Sequence, residues 1–256
     1  MMTTRRELLT LAAEGTAASL VAAAAPTRAA MRTRIRAIAF DAFPILDPRP
    51  IPKLAEDLFP GNGAALTAAW RTRQFEYTWL RTLSDTYVDF LRVTEDALVF
   101  AARSLKLDLP SAARERLVHA HLELKAWPDV KPALTALREA GLRMAFLSNF
   151  TAPMLDAGIR NSGLEGLLET PLSTDRVRAF KPDPRAYRMA ERAFGIDRGE
   201  ILFAAFAGWD AAGAKAFGYP TFWVNRLGQP TEELGALPDA TGAGLADVVG
   251  FVTAAG

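Results

Sequence analysis

Five side chains able to do chemistry stand beside strand ends of one alternating pattern. Asp41 closes the apolar run Ile35-Arg36-Ala37-Ile38-Ala39-Phe40. Ser148 and Asn149 follow the apolar stretch 142–147, Lys181 precedes the helix opened by Asp183-Pro184, and Asp210 follows the stretch 201–205. In a parallel sheet the carboxyl ends of the strands lie along one rim, and open α/β sheets bind ligands there. That rim would collect two carboxylates, a hydroxyl, an amide and an ammonium. Each also has a plainer reading. Asp41 could cap a turn, Ser148-Asn149 could mark a strand-to-helix turn, Lys181 could be a surface lysine, and Asp210 could be a helix N-cap. Their convergence is a stronger signal than any one of them.

The elements that must position them can be read in order. Residues 35–40 form a first strand. Pro44, Pro48, Pro50 and Pro52 mark a linker. Residues 64–126 carry a helical pattern without strand signals. Leu66, Trp70 and Tyr77 recur at spacings of four and seven, while Arg71, Phe75 and Trp79, each four apart, share a neighbouring face. Asp89-Phe90-Leu91 lies in a connection or helix, and Thr94 with Glu95-Asp96 reads as the N-cap and acidic first turn of a helix to about residue 105. Ser111 opens another helix.

Helices at 132–140, 153–161, 183–194 and 210–217 then alternate with strands at 142–147, 170–173, 201–205 and 221–224. A last short helix is expected within 245–252. The pattern predicts an α/β fold, a doubly wound parallel sheet. The core would comprise residues 31–46 and 129–256, and residues 47–128 would form an inserted helical domain.

Composition narrows the function. The 256 residues contain no cysteine, which excludes thiol catalysis, cysteine metal sites and disulfides. Lys+Arg 30 against Asp+Glu 29 leaves +1, so no nucleic-acid footprint is evident. At the amino terminus Arg5-Arg6 precedes an Ala/Leu/Val-rich run to Ala25, then Pro26 and Ala29-Ala30. Residues 1–30 thus resemble a twin-arginine export signal, with a periplasmic destination expected and the cytoplasm as the alternative. Glu14 interrupts the run, which argues against stable membrane insertion.

The motifs Phe40-Asp41-Ala42-Phe43, Leu147-Ser148-Asn149, Lys181-Pro182-Asp183-Pro184-Arg185-Ala186-Tyr187 and Trp209-Asp210-Ala211-Ala212-Gly213-Ala214-Lys215 resemble the haloacid dehalogenase superfamily. More narrowly they are similar to its type II L-2-haloacid dehalogenases. Trp70-Arg71 through Leu80-Arg81, Tyr87 to Phe90, and Phe222-Trp223-Val224-Asn225-Arg226 agree with that subgroup. The likeness runs from about residue 35 to 235.

The resemblance implies a Rossmann-like core with a helical cap, a small halogenated carboxylic acid as substrate, and no metal or organic cofactor. It also implies that a homodimer can form through the cap. Asp41 would displace halide from carbon, forming an ester with inversion, and water would cleave that ester at the Asp41 carbonyl. Lys181 would hold Asp41. Arg71, Asn149 and Phe90 would cradle the halide. Ser148, with backbone N–H groups near Ala42 and Phe43, would bind the substrate carboxylate or the developing oxyanion. Asp210 would bond Lys181 or steer water, and Tyr187 and Trp209 would line or support the pocket.

The chain also departs from the family pattern. Pro44-Ile45-Leu46 stands for Gly-Thr-Leu, Phe43 for tyrosine, Phe150 for glycine, and Ala205-Phe206-Ala207-Gly208 for Ser-Ser-Asn-Ala. Ester formation is therefore better supported than ester hydrolysis. Two other readings follow from the sequence. One is an exported homologue that binds carboxylates with impaired catalysis. The other is a superfamily phosphatase, which Phe43 disfavours because an acid usually stands there.

Overall fold

Ala37–Phe40 (β1) is apolar and buried at every position, as a central strand of a parallel sheet must be. The computed structural model describes residues 35–254, so the export segment read at residues 1–30 lies outside the described residues. With Arg143–Ser148 (β2), Leu172–Ser173 (β3), Ile201–Ala205 (β4), Thr221–Val224 (β5) and Ala240–Gly242 (β6), β1 forms a parallel sheet of order β3-β2-β1-β4-β5-β6. Phe40 is in register with Phe146 of β2 and Ala204 of β4. Asp41, Ser148 and the residues after Ala205 therefore leave the sheet at one rim.

Alternation along β1 divides the core. Ile38 and Phe40 pack with Val130–Glu139 (α6), Ala152–Ser162 (α7) and Leu245–Thr253 (α10). Ala37 and Ala39 pack with Pro184–Phe194 (α8) and Gly208–Phe217 (α9) on the other face. This is the doubly wound α/β arrangement expected. Between β1 and β2 the chain inserts Ala42–Ile45 (α1), Pro50–Leu58 (α2), Gly63–Leu83 (α3), Phe90–Ser104 (α4) and Ser111–His119 (α5). Thr94 pins α3 to α4. Its carbonyl accepts from Trp70 Nε1 at 2.7 Å and its hydroxyl accepts from Gln74 Nε2 at 2.6 Å. Among the described residues no helix is long and apolar enough to cross a membrane.

Three local expectations need correction. The proline stretch is not simply a linker, because α2 begins at Pro50. Proline suits a first helical turn, where its missing N–H has no partner to lose. Thr94 is not an N-cap but lies inside α4, its hydroxyl donating to Phe90 O at 2.7 Å. Asp89 is the cap, accepting from Arg92 N at 2.8 Å. Finally, β6 was unforeseen, since three partly exposed residues at a sheet edge carry no apolar pattern.

Candidate active site

At the rim a buried ammonium joins two carboxylates. Lys181 Nζ donates to Asp41 Oδ1 at 2.8 Å and to Asp210 Oδ2. The Lys181 and Asp210 side chains are each 1% exposed, whereas Asp41 keeps 13%, so Asp41 is the member that solvent or a ligand can reach. Burial opposes the charge on Lys181, but Asp210 and Asp41 together hold its pKa above the ordinary lysine value. Asp210 is the third residue of α9 and does not cap it. Its carboxylate reaches Lys181 and also accepts from Tyr187 Oη at 2.7 Å. Tyr187 is fully buried and its carbonyl accepts from Tyr219 Oη at 2.6 Å. It supports Asp210 and does not line the cavity. Gly213 permits this approach, since a Cβ there would stand 2.7 Å from Tyr187 Oη and 2.8 Å from Pro182.

The two oxygens of Asp41 differ. Ser148 Oγ also donates to Oδ1, at 3.2 Å, while Oδ2 accepts no hydrogen bond among the described residues. The single Ser148 proton is thus committed to Asp41, and its oxygen accepts from Phe150 N at 3.3 Å. Asn149 Oδ1 accepts from Lys181 N at 2.9 Å, which ties β2 to the lysine segment.

The turn after Asp41 is fixed through its carbonyls. Trp127 Nε1 donates to Phe43 O at 3.0 Å, Trp127 N to Ile45 O at 3.0 Å, and an Arg226 amine to Pro44 O at 2.9 Å. Arg226 also pairs with Asp129 at 3.0 Å. Ala42 and Phe43 open this turn, so their N–H groups have no partner within it. Ile45 is fully buried and offers no hydroxyl where the family has threonine.

A cavity of about 20 Å³ opens on Asp41. Asp41, Ser148, Asn149 and Lys181 line it from the sheet, Arg71 from α3 and Phe90 from α4. The Arg71 guanidinium lies 5.8 Å from the centre of the Phe75 ring and 5.7 Å from that of Phe206. Burial lowers its pKa while the Asp41 charge raises it, and Arg71 has no hydrogen bond or ion pair among the described residues. A largely buried cation held over aromatic faces is suited to an incoming anion. The remaining wall is aromatic. Trp209 packs against Phe75 and Trp79 at 5.2 and 5.6 Å, and Phe43 packs against Phe150 and Phe206 at 5.2 and 5.5 Å.

The geometry therefore brings together Asp41, Phe43, Arg71, Phe90, Ser148, Asn149, Lys181 and Trp209 around one space, with Asp210 and Tyr187 behind them. Sequence reasoning had Phe75 on the Arg71 stripe but gave it no role, and noted Phe150 and Phe206 only as departures. The signal for all three was available, because each sits beside a residue already singled out. The two histidines do not pair. His119 is exposed beside Glu123, while His121 is buried, with burial lowering its pKa to about 4.

Asp210 sets a pH dependence. Burial raises its carboxyl to about 6, against the pull of the Lys181 charge and the Tyr187 hydroxyl. Below about pH 6 it becomes neutral, and Lys181 then has Asp41 as its one charged partner in the cluster, which binds that carboxylate more tightly. Turnover should decline through that range. Tyr187→Phe removes a bond that favours the ionised form, so the acid limb of kcat should move to higher pH. A limb unmoved in a kcat–pH profile would mean that Asp210 is not the titrating group.

Comparisons with known proteins agree with this geometry. The profile of the haloacid dehalogenase-like hydrolases matches residues 14–218. The (S)-2-haloacid dehalogenase of Pseudomonas sp. (strain YL) is 44% identical over 224 residues, covering 87% of this chain and 97% of that protein. Among solved structures, the L-2-haloacid dehalogenase RSc1362 superposes with a TM-score of 0.84 at 42% identity, over 86% of this chain and 100% of the other. The L-2-haloacid dehalogenase from Xanthobacter autotrophicus with chloropropionic acid covalently bound gives 0.79 at 31%, over 86% and 98%. With that much of its length shared, the chain belongs to the haloacid dehalogenase-like hydrolases, and within them to the L-2-haloacid dehalogenases.

Proposed function

We propose that the chain converts short-chain (S)-2-haloalkanoic acids into (R)-2-hydroxy acids and halide through an ester on Asp41. The observation that carries the reading is the asymmetry of Asp41. Lys181 and Ser148 hold Oδ1, and among the described residues Oδ2 is left free at a cavity that also contains an unpaired arginine. Oδ2 attacks the halogen-bearing carbon from behind. The new C–O bond forms as the carbon–halogen bond breaks, and the halogen leaves with the bonding pair. Arg71 takes the halide, with Asn149 and Phe90 beside it. The solved relative with covalently bound chloropropionic acid supports such an intermediate.

In the ester Oδ1 becomes the carbonyl oxygen. Lys181 and Ser148 are then the donors that receive the negative charge as water adds to the carbonyl. As the bond from the Asp41 carboxyl carbon to Oδ2 breaks, the product leaves with Oδ2 as its hydroxyl oxygen. The water oxygen stays on Asp41, one water proton goes to the leaving alkoxide and the other passes to solvent. Among the described residues no carboxylate or histidine besides Asp41 lines the cavity, and both Asp210 oxygens are already bonded. Ala205 and Ala207 offer no hydroxyl or amide to place that water. Ester hydrolysis is therefore the slow step, and rapid-quench measurement should show a burst of about one halide per enzyme before slower turnover. Ser148→Ala should slow the second phase by about 10²-fold while leaving the burst amplitude intact. Loss of the burst with an unchanged steady rate would contradict that assignment.

The test of the overall reading is stereochemical. (S)-2-Chloropropionate should release chloride and give (R)-lactate, and the (R) acid should not react. Retention of configuration, or equal use of both acids, would overturn the direct displacement. A burst with no later turnover would instead favour the reading of impaired catalysis. We assign the cap to residues 47–128 and the core to 31–46 and 129–256, which puts the substrate between the strand rim and the inserted helices. Arg5-Arg6 and the apolar run after it support export of the folded protein to the periplasm, and sequencing the amino terminus of the mature protein tests this.

A further inference from the structure

The cavity at Asp41, of about 20 Å³, has room for one water-sized group and holds little beyond the reacting centre. A second cavity of about 160 Å³ adjoins it. Phe43, Arg71 and Phe75 line both, so the two spaces meet across these three side chains. The other walls are Pro48, Ile51 and Pro52 at the start of α2, Trp70 and Thr67 on α3, and His121.

Several polar groups of this second space are engaged within the protein. Trp70 Nε1 and Gln74 Nε2 donate to Thr94, and Thr67 Oγ1 donates to Gly63 O at 2.7 Å. Arg49, toward solvent, is paired with Asp47 at 2.7 Å and stacked on Trp127 at 4.4 Å. His121 is buried, its Nδ1 3.3 Å from Val118 O. Arg71 is shared with the first cavity, and most of the remaining lining among the described residues is apolar.

We infer that this second cavity is the subsite for the alkyl chain of the substrate, so the site accepts 2-haloacids of four to six carbons. This rests on the dehalogenase reading above. Each methylene moved from water onto such a wall contributes up to about fourfold, so the three extra methylenes set a ceiling of about sixtyfold, and (S)-2-chlorohexanoate should exceed (S)-2-chloropropionate in kcat/KM by about tenfold or more.

The experiment compares these two acids on the full-length wild-type chain and on Thr67→Phe, which fills the subsite from α3. The variant should lose tenfold or more on chlorohexanoate and change less than threefold on chloropropionate. Thr67→Leu, a smaller intrusion, should repeat the split at lower amplitude and guards against misfolding of the larger variant. Equal losses on both acids would mean the space is only a passage to Asp41, which overturns the subsite. So would a wild-type chain that accepts chloropropionate and rejects chlorohexanoate. Absence of halide from both acids would overturn the dehalogenase reading itself, and the subsite with it.

Discussion

Asp41→Asn should reduce halide release from (S)-2-chloropropionate by on the order of 10⁴-fold or more, the scale seen when a covalent nucleophile is removed. An amide has almost the same shape but neither the charge nor the basicity to displace halide. The side-chain carbonyl can still accept from Lys181 and Ser148, so the fold should survive with a modest change in melting temperature. Intact-mass spectrometry after incubation with substrate should show no adduct. Halide release within tenfold of wild type would remove Asp41 from the centre of the account.

Lys181→Met should be nearly as damaging to activity and far more damaging to stability. The ammonium neutralises two carboxylates in a space where its own side chain and that of Asp210 are 1% exposed. Without it, two like charges face each other across a buried gap. Breaking a buried pair typically costs about 3–5 kcal/mol, and turnover should fall by about 10³-fold because Oδ1 loses its charged donor. The sign of the pH dependence follows. Burial already makes Asp210 harder to ionise when folded than when unfolded, and losing the cation that opposes this adds to it, so acid relieves the strain and alkali increases it. The deficit in melting temperature against wild type should be smaller at pH 5 than at pH 8. An equal deficit at both would mean that Lys181 acts by packing and not by charge.

The parts of this site that were legible in the sequence share a physical basis. β1 and β4 are buried on both faces, so unbroken apolar runs marked them, and Ile201–Ala205 was read with its observed bounds. The polar residues that end those runs had to share a rim once the strands were parallel. Arg71, Phe75 and Trp79 were placed on one helical face, and all three now lie near Trp209 or the cavity it lines. Other features left no trace. An aromatic residue reads the same whether it fills a core or walls a site, so Phe150 and Phe206 stood only as deviations. The role of Tyr187 rests on one hydroxyl reaching Asp210, which depends on how closely α8 and α9 approach at Gly213. The unequal oxygens of Asp41 are a matter of tenths of an ångström, and no spacing of residue types encodes them.

The departures after Asp41 also look different in three dimensions. The chain lacks the family's threonine hydroxyl at Ile45, yet the carbonyls of Phe43, Pro44 and Ile45 are each held, by Trp127 or Arg226. The nucleophile's turn is therefore anchored from its backbone. On the proposed mechanism the loss falls on the second half of the reaction, because Ala205 and Ala207 offer no hydroxyl or amide to water.

The central claim is that water attacks the Asp41 carbonyl and not the substrate carbon. A single turnover in ¹⁸O-labelled water, with enzyme in excess over (S)-2-chloropropionate, separates the two. The oxygen delivered to lactate should come from Asp41 Oδ2, so the first product should be unlabelled and the peptide containing Asp41 should gain one ¹⁸O. Label in the lactate, with an unlabelled Asp41 peptide, would contradict the account.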